Sequence, residues 1–129
     1  MKKTAYLIIG AMLMILSSCT KSTTFEVYNG TSGYGMYDVK AYEYSGSTMI
    51  GLYDVGYLAA DASSGSIEAE KDAKQVKIAF KFAPGGEVYS TADYYTLTQG
   101  GHTMILIEDE TQVIGGSKVQ AKVSEVVKK

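Results

Sequence analysis

The run Gln75 to Phe82 constrains the fold more than any other stretch of the chain. Val76, Ile78, Phe80 and Phe82 alternate with Lys77, Ala79 and Lys81. A period of two places the first set on one face of a strand and the second on the other, which is the pattern of a half-buried β-strand. Helical packing would need the apolar positions three and four apart, and they are not. Pro84-Gly85-Gly86 then stops the strand, because proline removes a donor and glycine favours turns.

The same alternation recurs on both sides. Phe25 and Val27 alternate with Glu26 and Tyr28, and Asn29-Gly30 and Ser32-Gly33 supply turn chemistry. Tyr37, Val39 and Ala41 alternate with Asp38, Lys40 and Tyr42, and Gly46 closes that strand. Met49 to Tyr53 forms a short strand, followed by a link through Gly56 with Tyr57 and Leu58 pointing inward. Tyr94 to Leu97, Gly100-Gly101 and Thr103 to Ile107 read as a hairpin, and Thr111 to Ile114 as a last short strand before Gly115-Gly116. Short strands with turn signals at this spacing predict an all-β chain: a single antiparallel Greek-key β-sandwich of about seven strands, or alternatively a small β-barrel.

Two segments carry weaker signals. Asp61 to Asp72 reads as a loop with one short strand around Ser66 to Ala69. In the tail, Val119, Val123 and Val126 stand at helical spacing, so 117–129 reads as a frayed helix, a final strand or a disordered segment, and valine, a weak helix former, makes partial order the expectation.

The N-terminus follows a different logic. Lys2 and Lys3 precede a 12-residue apolar stretch, Ala5 to Leu16, and Ser17 and Ser18 stand directly before Cys19. A basic start, an apolar centre and small residues at a cut site make an export signal, here a signal-peptide helix over 1–18 of the precursor. The apolar stretch falls short of the roughly 20 residues that span a bilayer. Leu16-Ser17-Ser18-Cys19 resembles the lipobox of bacterial lipoproteins, in which a leucine and two small residues precede the cysteine that receives the lipid. That resemblance implies lipidation at Cys19; the polar residues that follow read as a tether over 19–24, and the alternation from Phe25 onward places the β-sandwich domain at 25–116. Thr20, where an aspartate would hold such a protein at the inner membrane, resembles lipoproteins sorted to the outer membrane, facing the periplasm or the cell surface. Cys19 is the chain's one cysteine, so no disulfide is expected to staple the fold.

Ser90-Thr91-Ala92-Asp93-Tyr94-Tyr95 is similar to the segment entering strand F of immunoglobulin-like domains. The resemblance implies a tyrosine corner, whose hydroxyl bonds backbone upstream: Tyr94 in the immunoglobulin register, or Tyr95 in a fibronectin-like one. The chain departs from that family in having no tryptophan and no partner cysteine.

Chemistry-bearing groups are sparse. There is no arginine, and removing the signal takes two of the twelve lysines but none of the fourteen acidic residues. A mildly acidic surface without arginine argues against nucleic acid as partner. His102, the one histidine, falls in the turn Gly100 to Thr103 and reads as a solvated side chain. Glu108-Asp109-Glu110 reads as a solvated tip, since neighbours on an extended chain point apart. No phosphate loop, nucleophile elbow or zinc motif occurs, so no catalytic residue, metal or cofactor is expected. Eleven tyrosines against three phenylalanines are the compositional excess. Tyr28, Tyr42 and Tyr44 lie opposite the apolar faces of their strands and are the candidate binding surface, because exposed aromatics anchor interfaces. The expected function is a lipid-anchored, non-catalytic envelope module that binds a protein or glycan. An envelope inhibitor of lysozyme- or protease-type enzymes, inserting Asp61 to Ser66, Gly85-Gly86 or Gly100 to His102, is the second reading, and a small hydrolase the third.

Overall fold

In a computed structural model the described residues are 21–127, so the expectations for residues 1–18, for Cys19 and for Thr20 lie outside them. Eight strands and one helix follow in order: β1 (Thr24–Asn29), β2 (Met36–Ser45), β3 (Thr48–Leu58), β4 (Ile67–Glu68), β5 (Gln75–Lys81), β6 (Tyr89–Ser90), β7 (Tyr95–Thr96), β8 (His102–Ile107) and α1 (Val119–Val127). One sheet has the order β4-β1-β8; the other runs β3-β2-β5-β6, with β7 also paired to β5. The two open sheets make a β-sandwich, and among the described residues no barrel closes. All pairings are antiparallel except β1 with β8, which run parallel in unbroken register from Thr24–His102 to Asn29–Ile107.

The core lies between the sheets and follows the alternation of the sequence. Phe25 and Val27 of β1, Ile105 and Ile107 of β8, Val39 and Ala41 of β2, and Val76, Ile78 and Phe80 of β5 are all fully buried. Each large apolar side chain removed from water contributes about 1.5–3 kcal/mol. Phe82 extends this core at its edge, its ring 5.4 Å from Phe80 and 5.3 Å from Tyr89.

Three expectations from the sequence are corrected. Tyr37 does not join Val39 inside. The β2–β3 register shifts between Met36 and Val39, and Asp38 adopts φ 49°, so Met36 is buried in place of Tyr37. The bulge turns Tyr37 outward onto the ring of Tyr57, 4.8 Å away, and Tyr57 is exposed rather than inward. The second correction concerns the hairpin expected from Tyr94 to Ile107. β7 pairs with β5 while β8 pairs with β1, so the turn at Gln99–Gly101 carries the chain from one sheet to the other. Third, Thr111–Ile114 makes only isolated bridges, Thr91 with Val113 and Gln112 with Lys118.

Of the alternatives for the tail, the structure takes the helix. α1 covers Val119–Val127, with Val119 and Val123 buried in the main core. Burial of one valine pair a helical turn apart outweighs the weak intrinsic propensity of valine. The backbone N–H groups of Val119 and Gln120 donate to the carbonyls of Thr111 and Asp109, which satisfies two donors at the helix start. Val126 lies outside the described side chains.

Asn29 fixes the first turn. Its side chain is fully buried; its amide donates to the carbonyls of Tyr34 (2.7 Å) and Leu58 (2.9 Å). Its amide oxygen accepts from the backbone N–H and the hydroxyl of Thr31, at 3.1 and 2.7 Å. Asn29 is still paired in β1 and the Gly30 N–H donates to the Ile107 carbonyl at 2.7 Å, so the bend falls at Thr31–Gly33 rather than at Asn29-Gly30, and a single buried side chain stitches the ends of β1 and β3 together.

Candidate binding face

Ala41 and Glu43 point into the sandwich, so Tyr42 and Tyr44 point out of it. Strand register then decides their neighbours. Tyr42 stands between Leu52 of β3 and Lys77 of β5, and Tyr44 between Met49 of β3 and Gln75 of β5. Residues paired across strands share a face, so these side chains form one outer surface of the larger sheet. Tyr94, immediately before β7, completes it. Its ring meets that of Tyr44 edge-on, centroids 5.1 Å apart, and the Lys77 ammonium sits 4.6 Å from the centre of the Tyr94 ring. Met49 and Leu52 are each 53% exposed and Tyr94 44%. Such edge-to-face pairs contribute about 0.5–1.5 kcal/mol beyond the area they bury, and hold the rings in a defined orientation.

Two of the three tyrosines expected as a binding surface therefore lie together. The third does not. Tyr28 is on the outer face of the smaller sheet, beside Leu106 in register, with its hydroxyl 3.5 Å from Asp61. Tyr94 is likewise not a tyrosine corner. It is on the surface, and among the described residues neither its hydroxyl nor that of Tyr95 hydrogen-bonds backbone. Tyr95 packs partly buried against the core, and this burial raises its phenol above the ordinary value of 10.0, with Asp93 and Glu108 adding to the effect. Sequence reading passed over Tyr94, Lys77 and Leu52 as surface residues. The outward parity of Lys77 was readable from β5, but its place beside Tyr94 depends on β7 pairing with β5.

The smaller sheet carries a polar cluster on its outer face. His102 is not free in solvent at a turn tip. Its Nε2 lies 2.9 Å from Glu26 Oε1, and its Nδ1 lies 2.9 Å from Thr24 Oγ1. The Ser63 hydroxyl donates to the other Glu26 oxygen at 2.6 Å. The Ser63 hydrogen bond, with that of His102 second, holds the Glu26 carboxyl below its ordinary value of 4.5. The parallel register of β1 and β8 brings Thr24 beside His102, a relationship 78 residues apart in the chain. The order carboxylate, imidazole, hydroxyl is present, but the Thr24 N–H is engaged by the Gly101 carbonyl and cannot serve as an oxyanion donor. Met104 and Leu106 flank the cluster as an exposed apolar pair.

The acidic tip Glu108 to Glu110 is drawn apart by its partners. Asp109 accepts from the N–H and hydroxyl of Ser32, at 3.0 and 2.6 Å, whereas Glu110 pairs with Lys118 at 2.6 Å. Among the described residues no three His, Cys, Asp or Glu side chains gather as a metal site. The segment Asp61 to Ser66 is sewn to β1, with Asp61 N–H donating to the Asn29 carbonyl and Ser64 N–H to that of Val27.

No family model matches the chain, and no curated protein matches it. A solved structure, described as the NMR structure of the protein from Eubacterium rectale, is similar with a TM-score of 0.53 and 17% identity. The match covers 74% of this chain and 88% of that one, and at this identity it speaks for the all-β fold alone.

Proposed function

We propose that the protein is a lipid-anchored, non-catalytic binding module of the bacterial cell envelope, held by lipid on Cys19, at the outer membrane. Its partner, a protein, docks on the face built by Tyr42, Tyr44, Tyr94, Lys77, Leu52 and Met49. The observation that carries the reading is the Tyr44–Tyr94 pair, fixed edge-on beside Lys77 on a face that also exposes Met49 and Leu52. Tyrosine is among the residue types that carry most of the binding energy at protein interfaces. A sugar would need an open ring face to stack on. Lys77 sits over Tyr94, which favours a protein over a glycan.

Two measurements on the full chain in a bacterial host test the proposal. Metabolic labelling with an alkynyl fatty acid is expected to mark the wild type, and Cys19→Ala is expected to be unlabelled and to leave the membrane fraction. An unlabelled wild type overturns the anchor. A photo-crosslinking residue at position 52 is expected to give a discrete protein adduct that Tyr44→Ala removes, while position 106 on the other sheet gives none. Adducts from 106 and none from 52 would overturn the choice of face.

A further inference from the structure

We propose that the end of the sandwich bearing the β2–β3 turn rests on the headgroup layer of the same membrane that holds the anchor. This seating rests on the lipid-anchor reading and adds an orientation to it.

The argument begins with chain length. Thr23 is already part of the fold. Its carbonyl accepts from the N–H of Ala69, and its hydroxyl accepts from the N–H of Gly100, each at 2.9 Å. The next residue, Thr24, donates its N–H to Gly101 at 2.9 Å. Only Thr20, Lys21 and Ser22 separate this pinned residue from Cys19. A fully extended chain covers that interval in at most about 14 Å, so a lipid on Cys19 holds Thr23 within that distance of the headgroups. So short a link keeps the nearest surface of the domain at high local concentration against the bilayer.

That surface is defined by what adjoins Thr23. Lys21, Thr23, Lys74 and Gly100 line one hollow; Ser45, Thr48 and Ile50 line a second, and Glu70, Lys71 and Asp72 border both. The β2–β3 turn at Gly46–Ser47 therefore belongs to the same end as the tether. Met49 and Ile50 flank it, 53% and 38% exposed. The charges there balance: Lys21, Lys71 and Lys74 stand beside Glu68, Glu70 and Asp72. Attraction to anionic lipid is thus not what seats the domain; the short link does so, with Ile50 offering apolar contact. Ten residues of β2 put the opposite end about 30 Å further out. The face of Tyr42, Tyr44 and Tyr94 then stands upright from the bilayer, so a partner held in the same membrane meets it sideways.

The test uses the full-length lipidated protein. Acylation consumes the Cys19 thiol, so Ser47→Cys and Glu87→Cys each supply one reactive thiol, at the near and far ends. Each is labelled with a fluorophore and reconstituted in phosphatidylethanolamine–phosphatidylglycerol vesicles carrying a headgroup nitroxide quencher. Quenching at position 47 is expected to exceed that at position 87 by several-fold. Equal quenching, or more at 87, in protein that floats with the vesicles overturns the seating and leaves the anchor intact. Protein that does not float overturns the anchor and the seating together.

Discussion

The Glu43 carboxylate, buried in β2, accepts a 2.8 Å hydrogen bond from the backbone N–H of Glu70. Gly51, opposite Glu43 on β3, makes room for it: a Cβ there would lie 2.6 Å from Glu43 Oε2 and 2.7 Å from Glu70 Cγ. A buried acid thus ties the β4–β5 loop to the larger sheet through a gap that only glycine leaves.

Burial is the main cause that raises the Glu43 carboxyl above its ordinary 4.5, against the opposing effect of the Glu70 N–H. The folded chain therefore holds this proton more tightly than the unfolded chain. The stability it contributes is complete below pH 4.5 and is lost as pH rises through the raised folded value. Glu43→Gln keeps an acceptor for the Glu70 N–H and removes the charge. Thermal melts across pH 4 to 8 are expected to show the variant more stable than wild type at pH 7 and close to it at pH 4. Parallel curves would contradict the assignment.

Gly51→Ala is expected to cost about 1–3 kcal/mol, the usual range for overpacking. The cost should shrink in part when Glu43→Ala is added, because one of the two close contacts is with the Glu43 carboxylate. Urea midpoints of the two single variants and the double variant measure the coupling.

Asn29→Ala removes four hydrogen bonds, among them the buried one to the Leu58 carbonyl. A loss of about 3 kcal/mol is expected from the lost bonds. Chemical denaturation should show a lower midpoint with an unchanged slope.

Truncation after Ser117 deletes α1 and with it Val119 and Val123, both buried. At about 1.5–3 kcal/mol for each buried valine, the shortened chain should lose roughly 3–6 kcal/mol. Protease resistance and melting temperature report it directly. A chain that melts like the full protein would show that the helix only decorates the core.

Tyr94→Ala leaves the core untouched but strips Tyr44 and Lys77 of their shared ring. Stability is expected to fall by about 1 kcal/mol or less, while the crosslinked adduct at position 52 is lost. Loss of stability without loss of the adduct would place the partner elsewhere.

Much of the fold was legible in the residues themselves. The alternation in β1 and β5, and the turn chemistry of Ser32-Gly33 and Pro84-Gly85-Gly86, already imply an all-β chain. Side-chain parity is a local property of an extended backbone, so it survives being read one strand at a time. The outward placement of Tyr42 and Tyr44 follows from it.

What parity cannot supply is the partner of each strand. Tyr94 meets Tyr44 because β7 joins β5, and His102 meets Glu26 and Thr24 because β8 lies parallel to β1. Both pairings close loops of many residues, and their free energy comes from burial summed over both sheets rather than from the segments that touch. The bulge at Asp38 and the docking of α1 have the same origin. There a common core repays a strained residue or a weak helix former, so the alternation around Tyr37 misled and the propensity of Val119 and Val123 left the tail open. Composition and periodicity determined what this chain builds with; the shared interior decided which surfaces it presents.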